Sequence, residues 1–269
     1  MVMKQPDYGG NAAAERRDGG RCAGMDGTVK IIACKTIEDE IERVRGDIEA
    51  DYCEGFLHDT PDKLRATLNE RIAATPEDCT ILLGYGRCSN GTMDLETGPR
   101  RVIMPACDDC IAMLLGSRRV YLEQFAAHPG TFYYTRGWME ELDDPYREYL
   151  KLVPKLGEET AREACLMYME GYSRVAIIDT GTYDMDRCES YVQKVSEFFG
   201  LPVHRLQGSL RLLEKLVRGP HDDEFLDVQP GDALVERLFW DLDGREPAPE
   251  TEPNPPGTGC ADCVLACRT

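Results

Sequence analysis

Four cysteines stand where thiols could do chemistry. Cys34 follows an apolar β-prone run at 28–33, and Cys88 lies in the loop GYGRCSNG at 84–91 that follows a second such run at 79–83. Cys107 and Cys110 follow a third run at 101–104. In parallel α/β sheets, ligands bind beyond the carboxyl ends of the strands, so three strand ends would bring four thiols to one edge. Four thiolates can close a tetrahedral zinc site or hold an Fe–S cluster, and three would leave an open position on a reactive metal centre. Cys107 and Cys110 also form a Cys-x-x-Cys pair near an expected helix start. The helix dipole there would lower a thiol pKa, which also suits thiol–disulfide redox chemistry. The alternative for Cys34 and Cys88 is a place as small packed hydrophobes.

The 84–91 loop presents Ser89 and Asn90 beside Cys88. It is neither Gly-x-Gly-x-x-Gly nor a P-loop with Gly-Lys-Ser/Thr, so nucleotide hydrolysis is not indicated. A second set of candidates lies further along. Asp179, Thr180 and Gly181 follow the buried run RVAII, and Ser209 follows the next strand-like run. Both places are expected to open a helix, where backbone N–H groups could meet an anionic group of a small ligand. Arg136 would add charge and Trp138 a flat apolar wall. The alternative is that Asp179 caps a helix and Arg136 pairs with an acid. The four histidines, His58, His128, His204 and His221, are scattered and read as surface or packing residues.

Twelve cysteines in 269 residues fall below the roughly 8–10% that marks a disulfide scaffold. No apolar export segment is seen near the start, so the expected compartment is the cytoplasm, with reduced thiols. Forty-nine acidic against 31 basic residues give a net charge of −18. A surface so acidic repels phosphate backbones and anionic lipids, which argues against nucleic-acid and membrane partners.

The elements that must position these residues alternate between strand-like and helix-like runs. Ile37, Ile41, Val44 and Ile48 recur at helical spacing, with Thr36 and Asp39 resembling a capping box. Residues 52–58 suggest a strand. Pro61 opens a helix through Leu64, Leu68 and Ile72, and Asp108 or Asp109 caps another through Ile111 and Leu114. The second half repeats the pattern: helix 158–171, strand 174–178, helix 185–199 closed by Gly200, strand 201–206 and helix 209–217. Runs such as VAIID imply parallel strands buried on both faces. The expected fold class is α/β, with two Rossmann-like lobes whose parallel sheets are flanked by helices. The expected organisation is a leader at 1–27, an N-terminal lobe at 28–150, a C-terminal lobe at 151–240 and a tail at 241–269, with the seam between lobes near 130–160. The tail holds five prolines within 247–256, then Cys260, Cys263 and Cys267.

The segments IIAC (31–34), LGYGRCSNG (83–91), DCI (109–111), LLGS (114–117) and YYTRGW (133–138) resemble a Cys-containing α/β family of methanogens and anaerobic bacteria. Its members are often encoded near corrinoid-dependent methyltransferase systems. The resemblance covers about residues 28–240. Family members often carry His where this chain has Cys107, an exchange that keeps a metal-ligand type. The resemblance implies anaerobic one-carbon or methyl-group metabolism, with a corrinoid protein or methyltransferase as partner. It gives no reaction. The chain lacks the Asp-x-His-x-x-Gly motif of the corrinoid carrier itself. Three readings follow: a protein with a Cys-ligated Zn or Fe–S centre serving methyl transfer, a ligand-binding accessory protein without turnover, or a thiol–disulfide redox protein using Cys107 and Cys110.

Overall fold

The structure, a computed structural model, describes residues 27–235. The expected leader up to residue 26 and the tail with Cys260, Cys263 and Cys267 lie outside the described residues. The fold is α/β, with parallel strands in two sheets and helices packed against them. In the first half the strands are β1 (Thr28–Cys34), β2 (Glu49–Cys53), β3 (Cys79–Gly84), β4 (Leu95–Glu96) and β5 (Val102–Pro105). The helices there are α1 (Glu38–Val44), α2 (Pro61–Ala74), α3 (Cys110–Leu114) and α4 (Arg118–Ala127). Next come β6 (Thr131–Tyr134), α5 (Arg136–Glu141), α6 (Pro145–Leu156), α7 (Glu158–Tyr168), β7 (Arg174–Asp179), α8 (Met185–Phe199) and β8 (Val203–Gln207). The last elements are α9 (Arg211–Arg218), β9 (Phe225–Val228) and β10 (Ala233–Leu234).

The first sheet has five strands in the order β2-β1-β3-β5-β9, parallel except for β9. It is buried on both faces, and the side chains sort by the strand period of two. Ile31 and Ala33, Leu82 and Ile103 join the core under α1, α3 and α9. Ile32 and Cys34, Ile81 and Leu83, and Val102 and Met104 join the core under α2. The second sheet, β6-β7-β8, is parallel throughout and packs against α8 through Cys188, Val192 and Val195.

The change of sheet falls at Thr131, early in the 130–160 stretch. The chain then returns: α9 lays Leu212, Leu213, Leu216 and Val217 into the core of the first sheet, and β9 adds an antiparallel edge strand to it. Spacing of i, i+1, i+4 and i+5 gives α9 one apolar stripe, which buries against the nearest apolar surface.

Several local expectations differ in detail. The helix expected from residue 36 begins as a 3-10 turn, Lys35–Ile37, and α1 ends at Val44 because Gly46 takes a left-handed φ of 61°. Thr36 is not a cap; its hydroxyl turns to a sulfur instead. The strand expected at 52–58 is β2 followed by a 3-10 turn, Gly55–Asp59. By contrast, α8 ends as read, on Gly200 in the left-handed region at φ 69°.

Candidate functional site

The chain leaves β1 for β2 on one side and crosses to β3 on the other. The strand order therefore reverses between β1 and β3, where loops diverge and leave a crevice. A cavity of about 930 Å³ opens at this point. Cys34, Cys88 and Cys110 all line it, with Ser89 and Asn90 beside them. Cys34 comes from the α2 face of the sheet and Cys110 from the α1/α3 face, so the thiols meet over the sheet edge.

Close backbone approaches hold this edge together. Arg87 and Cys88 donate their backbone N–H groups to the carbonyls of Cys107 and Asp108, both at 2.9 Å. That pairing needs glycine at 86, since a Cβ there would sit 2.7 Å from the Asp109 nitrogen and 2.8 Å from the Cys107 oxygen. Cys88, Ser89 and Asn90 then run through three successive left-handed positions, with φ of 44°, 53° and 65°. Each costs a non-glycine residue about 1–2 kcal/mol, and such strain persists only where neighbours fix it. Arg65 on α2 does so, donating to the carbonyls of Met93 at 2.6 Å and Asn90 at 3.2 Å.

Two side-chain donors point at sulfur. The Thr36 hydroxyl donates to Cys34 Sγ at 3.1 Å, and the Trp138 indole Nε1–H donates to Cys110 Sγ at 3.2 Å. Trp138 reaches the thiol because α5 packs directly on the 35–37 turn; a Cβ on Gly137 would overlap the Thr36 carbonyl. The Tyr85 hydroxyl is buried beside the Cys34 and Cys53 thiols and makes no hydrogen bond of good geometry among the described residues. His58, which stacks on Trp138 with centroids 5.9 Å apart, and Asp109 also line the cavity.

Burial raises the Cys34, Cys88, Cys107 and Cys110 thiols above their ordinary range, helped at Cys88, Cys107 and Cys110 by negative charge on neighbouring thiols and on Asp109, and at Cys34 by Glu141. This corrects the expectation that a helix start would favour the Cys110 thiolate. The helix α3 is only five residues long, and desolvation outweighs its N-terminus. Burial also pushes Asp109 up to about 6, while its carboxylate caps α3 by accepting from the Ala112 N–H at 3.2 Å. Cys107 is buried behind the cavity wall rather than lining it, and its thiol donates to the Asp109 carbonyl at 3.4 Å. Among the described residues, no group of three or more His, Cys, Asp or Glu side chains stands so that it could hold a metal ion. The thiols share a cavity wall without closing on a single point.

Arg136, Asp179, Thr180, Gly181 and Ser209 line neither this cavity nor the neighbouring one. Arg136 pairs with Asp39 at 2.8 Å and Glu140 at 3.1 Å. Asp179 accepts from the Gly181 N–H at 3.0 Å and pairs with Arg205 at 2.6 Å, so that N–H is already taken. The helix α8 starts at Met185 as expected, but neither helix opens on these residues: Asp184 caps α8, and α9 begins at Arg211 with Leu210 at its N-cap. Thr180 and Thr182 both donate to the buried Glu40 carboxylate of α1, at 2.7 and 2.9 Å. Ser209 donates its N–H to the Leu114 carbonyl at 2.8 Å.

Sequence reasoning missed Cys53, Thr36, Tyr85 and His58 at this edge. Cys53 had a signal, since it ends β2 and pairs in register with Cys34. Trp138, expected as an apolar wall, is a donor to sulfur. No curated protein and no solved structure matches the chain. The family model described as "Protein of unknown function (DUF1638)" matches residues 52–217, which spans Cys88, Cys107, Cys110 and Trp138. The chain belongs to the DUF1638 family.

Proposed function

We propose that the cavity at the β1/β3 crossing holds a thiolate-ligated metal centre, an Fe–S cluster or zinc, with Cys34, Cys88 and Cys110 as ligands and Cys107 as the candidate fourth. The observation that carries this reading is the meeting of three thiols from three strand ends at one cavity, two of them receiving N–H or O–H donors. Hydrogen bonds to ligating sulfurs orient them and tune the potential of a bound centre. A bound cation also supplies the positive charge that these buried thiols lack, since a coordinating thiol is deprotonated outright. The volume of about 930 Å³ has room for a cluster.

A cluster supplies electrons, and zinc activates thiols. Both serve corrinoid-dependent methyl transfer, the setting that the family resemblance implies, with a corrinoid protein or methyltransferase as the partner. Within this site Thr36 and Trp138 would position the sulfurs of Cys34 and Cys110, and the 87–91 loop would carry Cys88 to the centre.

Metal analysis and the absorption spectrum of full-length protein purified without oxygen test this directly. Stoichiometric iron with a brown chromophore, or stoichiometric zinc, is expected, and Cys88→Ser should lose most of it. Protein that holds neither metal, and takes up neither when supplied with iron and sulfide or with zinc, overturns the proposal. Retention of metal in Cys34→Ser, Cys88→Ser and Cys110→Ser alike does the same.

A further inference from the structure

A second cavity, of about 510 Å³, lies against His58 and Trp138, which also line the first. It is built by different elements: β6, α6, α7 and the turns beside them. Its walls are aromatic. Phe132 and Tyr134 stand 5.2 Å apart between centroids at 46°, and Phe132 and Tyr172 stand 5.3 Å apart at 70°. Trp138 adds a further ring. Rings set at such angles form the sides of a box rather than a stack.

The charge in this box is mainly negative. Asp59, Asp143, Asp144 and Glu148 line it beside His58, and among the described residues no lysine or arginine does. Asp143 pairs outward with Lys151 and Asp59 meets the His58 ring at 3.1 Å, which leaves Asp144 and Glu148 as the carboxylates open to a ligand. Asp144 is fixed in place: one carboxylate oxygen accepts the Tyr146 and Arg147 N–H groups, both at 2.9 Å, and the other accepts the Tyr191 hydroxyl at 2.5 Å. Tyr134 is 2% exposed, and among the described residues its hydroxyl has no hydrogen-bond partner. A buried hydroxyl without a partner costs about 1–3 kcal/mol, which a ligand carrying an N–H or O–H group could offset.

We propose that this cavity binds a small organic cation, an alkylammonium or quaternary ammonium group. Aromatic faces attract such cations electrostatically, most strongly when both are desolvated, and the carboxylates reinforce the preference. An anionic ligand would be repelled by the carboxylates, and a neutral apolar one would leave the negative field unused. The inference rests on none of the thiol chemistry.

The test uses calorimetric titration of the full-length, metal-free chain with choline, with tetramethylammonium, and with 3,3-dimethylbutan-1-ol, the uncharged carbon isostere of choline. Saturable binding of both cations is expected, with the neutral isostere weaker by about tenfold or more. Glu148→Gln, at an exposed position, should weaken choline by about threefold, and Tyr172→Leu by about tenfold, with unchanged circular dichroism. Should Tyr172→Leu fail to fold, Glu148→Gln and the isostere carry the test. Equal binding of the isostere, or no binding of either cation, overturns the proposal.

Discussion

At the carboxyl edge of the first sheet, Cys34, Cys88 and Cys110 face a cavity of about 930 Å³. At the same edge of the second, Asp179 and Thr180 are taken up by protein partners, and the exposed Gly181 has its N–H engaged by Asp179. Both edges are built from buried parallel strands that run into loops and helices, and sequence patterning marks both equally as places for a ligand. The difference lies in strand order. In the first sheet the order reverses between β1 and β3, so the loops after these strands part to opposite faces and leave a crevice. In the second sheet β6, β7 and β8 follow one another without reversal, and the polar groups after β7 close on Glu40 of α1 and on Arg205. A strand end supplies polar groups, but a reversal of order is what keeps them available.

If the first edge depends on close backbone approach, crowding it should have the largest effect. Gly86→Ala places a methyl group against the Asp109 nitrogen and the Cys107 oxygen, both backbone atoms with no side chain to yield. A loss of about 3 kcal/mol is expected, at the upper end of overpacking costs. Urea denaturation measures it, and metal uptake by the variant should fall with the displaced Cys88. A stability within about 0.5 kcal/mol of the parent, the range of an indifferent surface change, would mean that the loop does not need its present path.

At the second edge the contact most worth breaking joins the two sheets. Thr180→Val removes one of two hydroxyls that donate to the Glu40 carboxylate, which is 2% exposed. A hydrogen bond to a buried charged group is worth about 1.5–3 kcal/mol, so a loss of about 2 kcal/mol is expected near neutral pH. The loss should depend on pH. Burial raises the Glu40 carboxyl above its ordinary 4.5, opposed by the Thr180 and Thr182 hydroxyls and aided by the negative charge of Asp39. The folded state thus holds the Glu40 proton more tightly than the unfolded chain. Its contribution to stability is full below the ordinary value and declines as pH rises through the folded one. Removing a donor to the carboxylate raises the folded pKa further. The difference between Thr180→Val and the parent should therefore be small near pH 4 and largest at neutral pH, as followed by denaturation across pH. A difference independent of pH would mean that Glu40 is not the partner through which Thr180 acts. Metal content at the first edge should be unchanged.

The parts of the molecule that were legible in sequence are those set by local rules. The helix α8 and its Gly200 stop follow from apolar spacing and a left-handed cap, and the strand ends at Cys34, Cys88 and Cys107 follow from short apolar runs. What could not be read depends on pairs far apart in the chain. Trp138 meets Cys110 across 28 residues, and Thr180 meets Glu40 across 140. Neither residue type announces its partner, because indole and hydroxyl donors occur in many surroundings. Thr36 shows the reverse: local spacing suggested a cap, and a sulfur two residues away took the hydroxyl instead. The second cavity was invisible for a further reason. Its wall strand, β6, is four residues long and half-buried, with Tyr134 inward and Tyr133 on the other face, so its periodicity is too short to register. The return of α9 to the first sheet was likewise unreadable, since an apolar stripe records that a helix packs but not on which sheet.

The smallest effect expected is at the Asp179–Arg205 pair, and it sharpens the comparison because the pair sits where the first edge has its cavity. Arg205 is half-exposed and also pairs with Glu189 at 3.1 Å, while Asp179 lies lower than the usual carboxylate range because the guanidinium and the Gly181 N–H favour its charge. Exposed ion pairs gain little, since water and salt screen them and two side chains must be held still. Arg205→Gln should lower stability only slightly at low salt and not measurably at high salt, because Asp179 keeps its backbone donor. Its depressed carboxyl makes the small stabilisation present at neutral pH and lost as pH falls below the ordinary carboxylate range, the opposite sign to that of Glu40. Thermal denaturation in low and high salt, at neutral and acid pH, resolves both dependences. If Arg205→Gln changed metal uptake at the thiol cavity or choline affinity at the aromatic one, the second edge would be coupled to a site rather than closed on itself, and the contrast between a reversed and an unreversed strand order would no longer account for where this fold places its ligands.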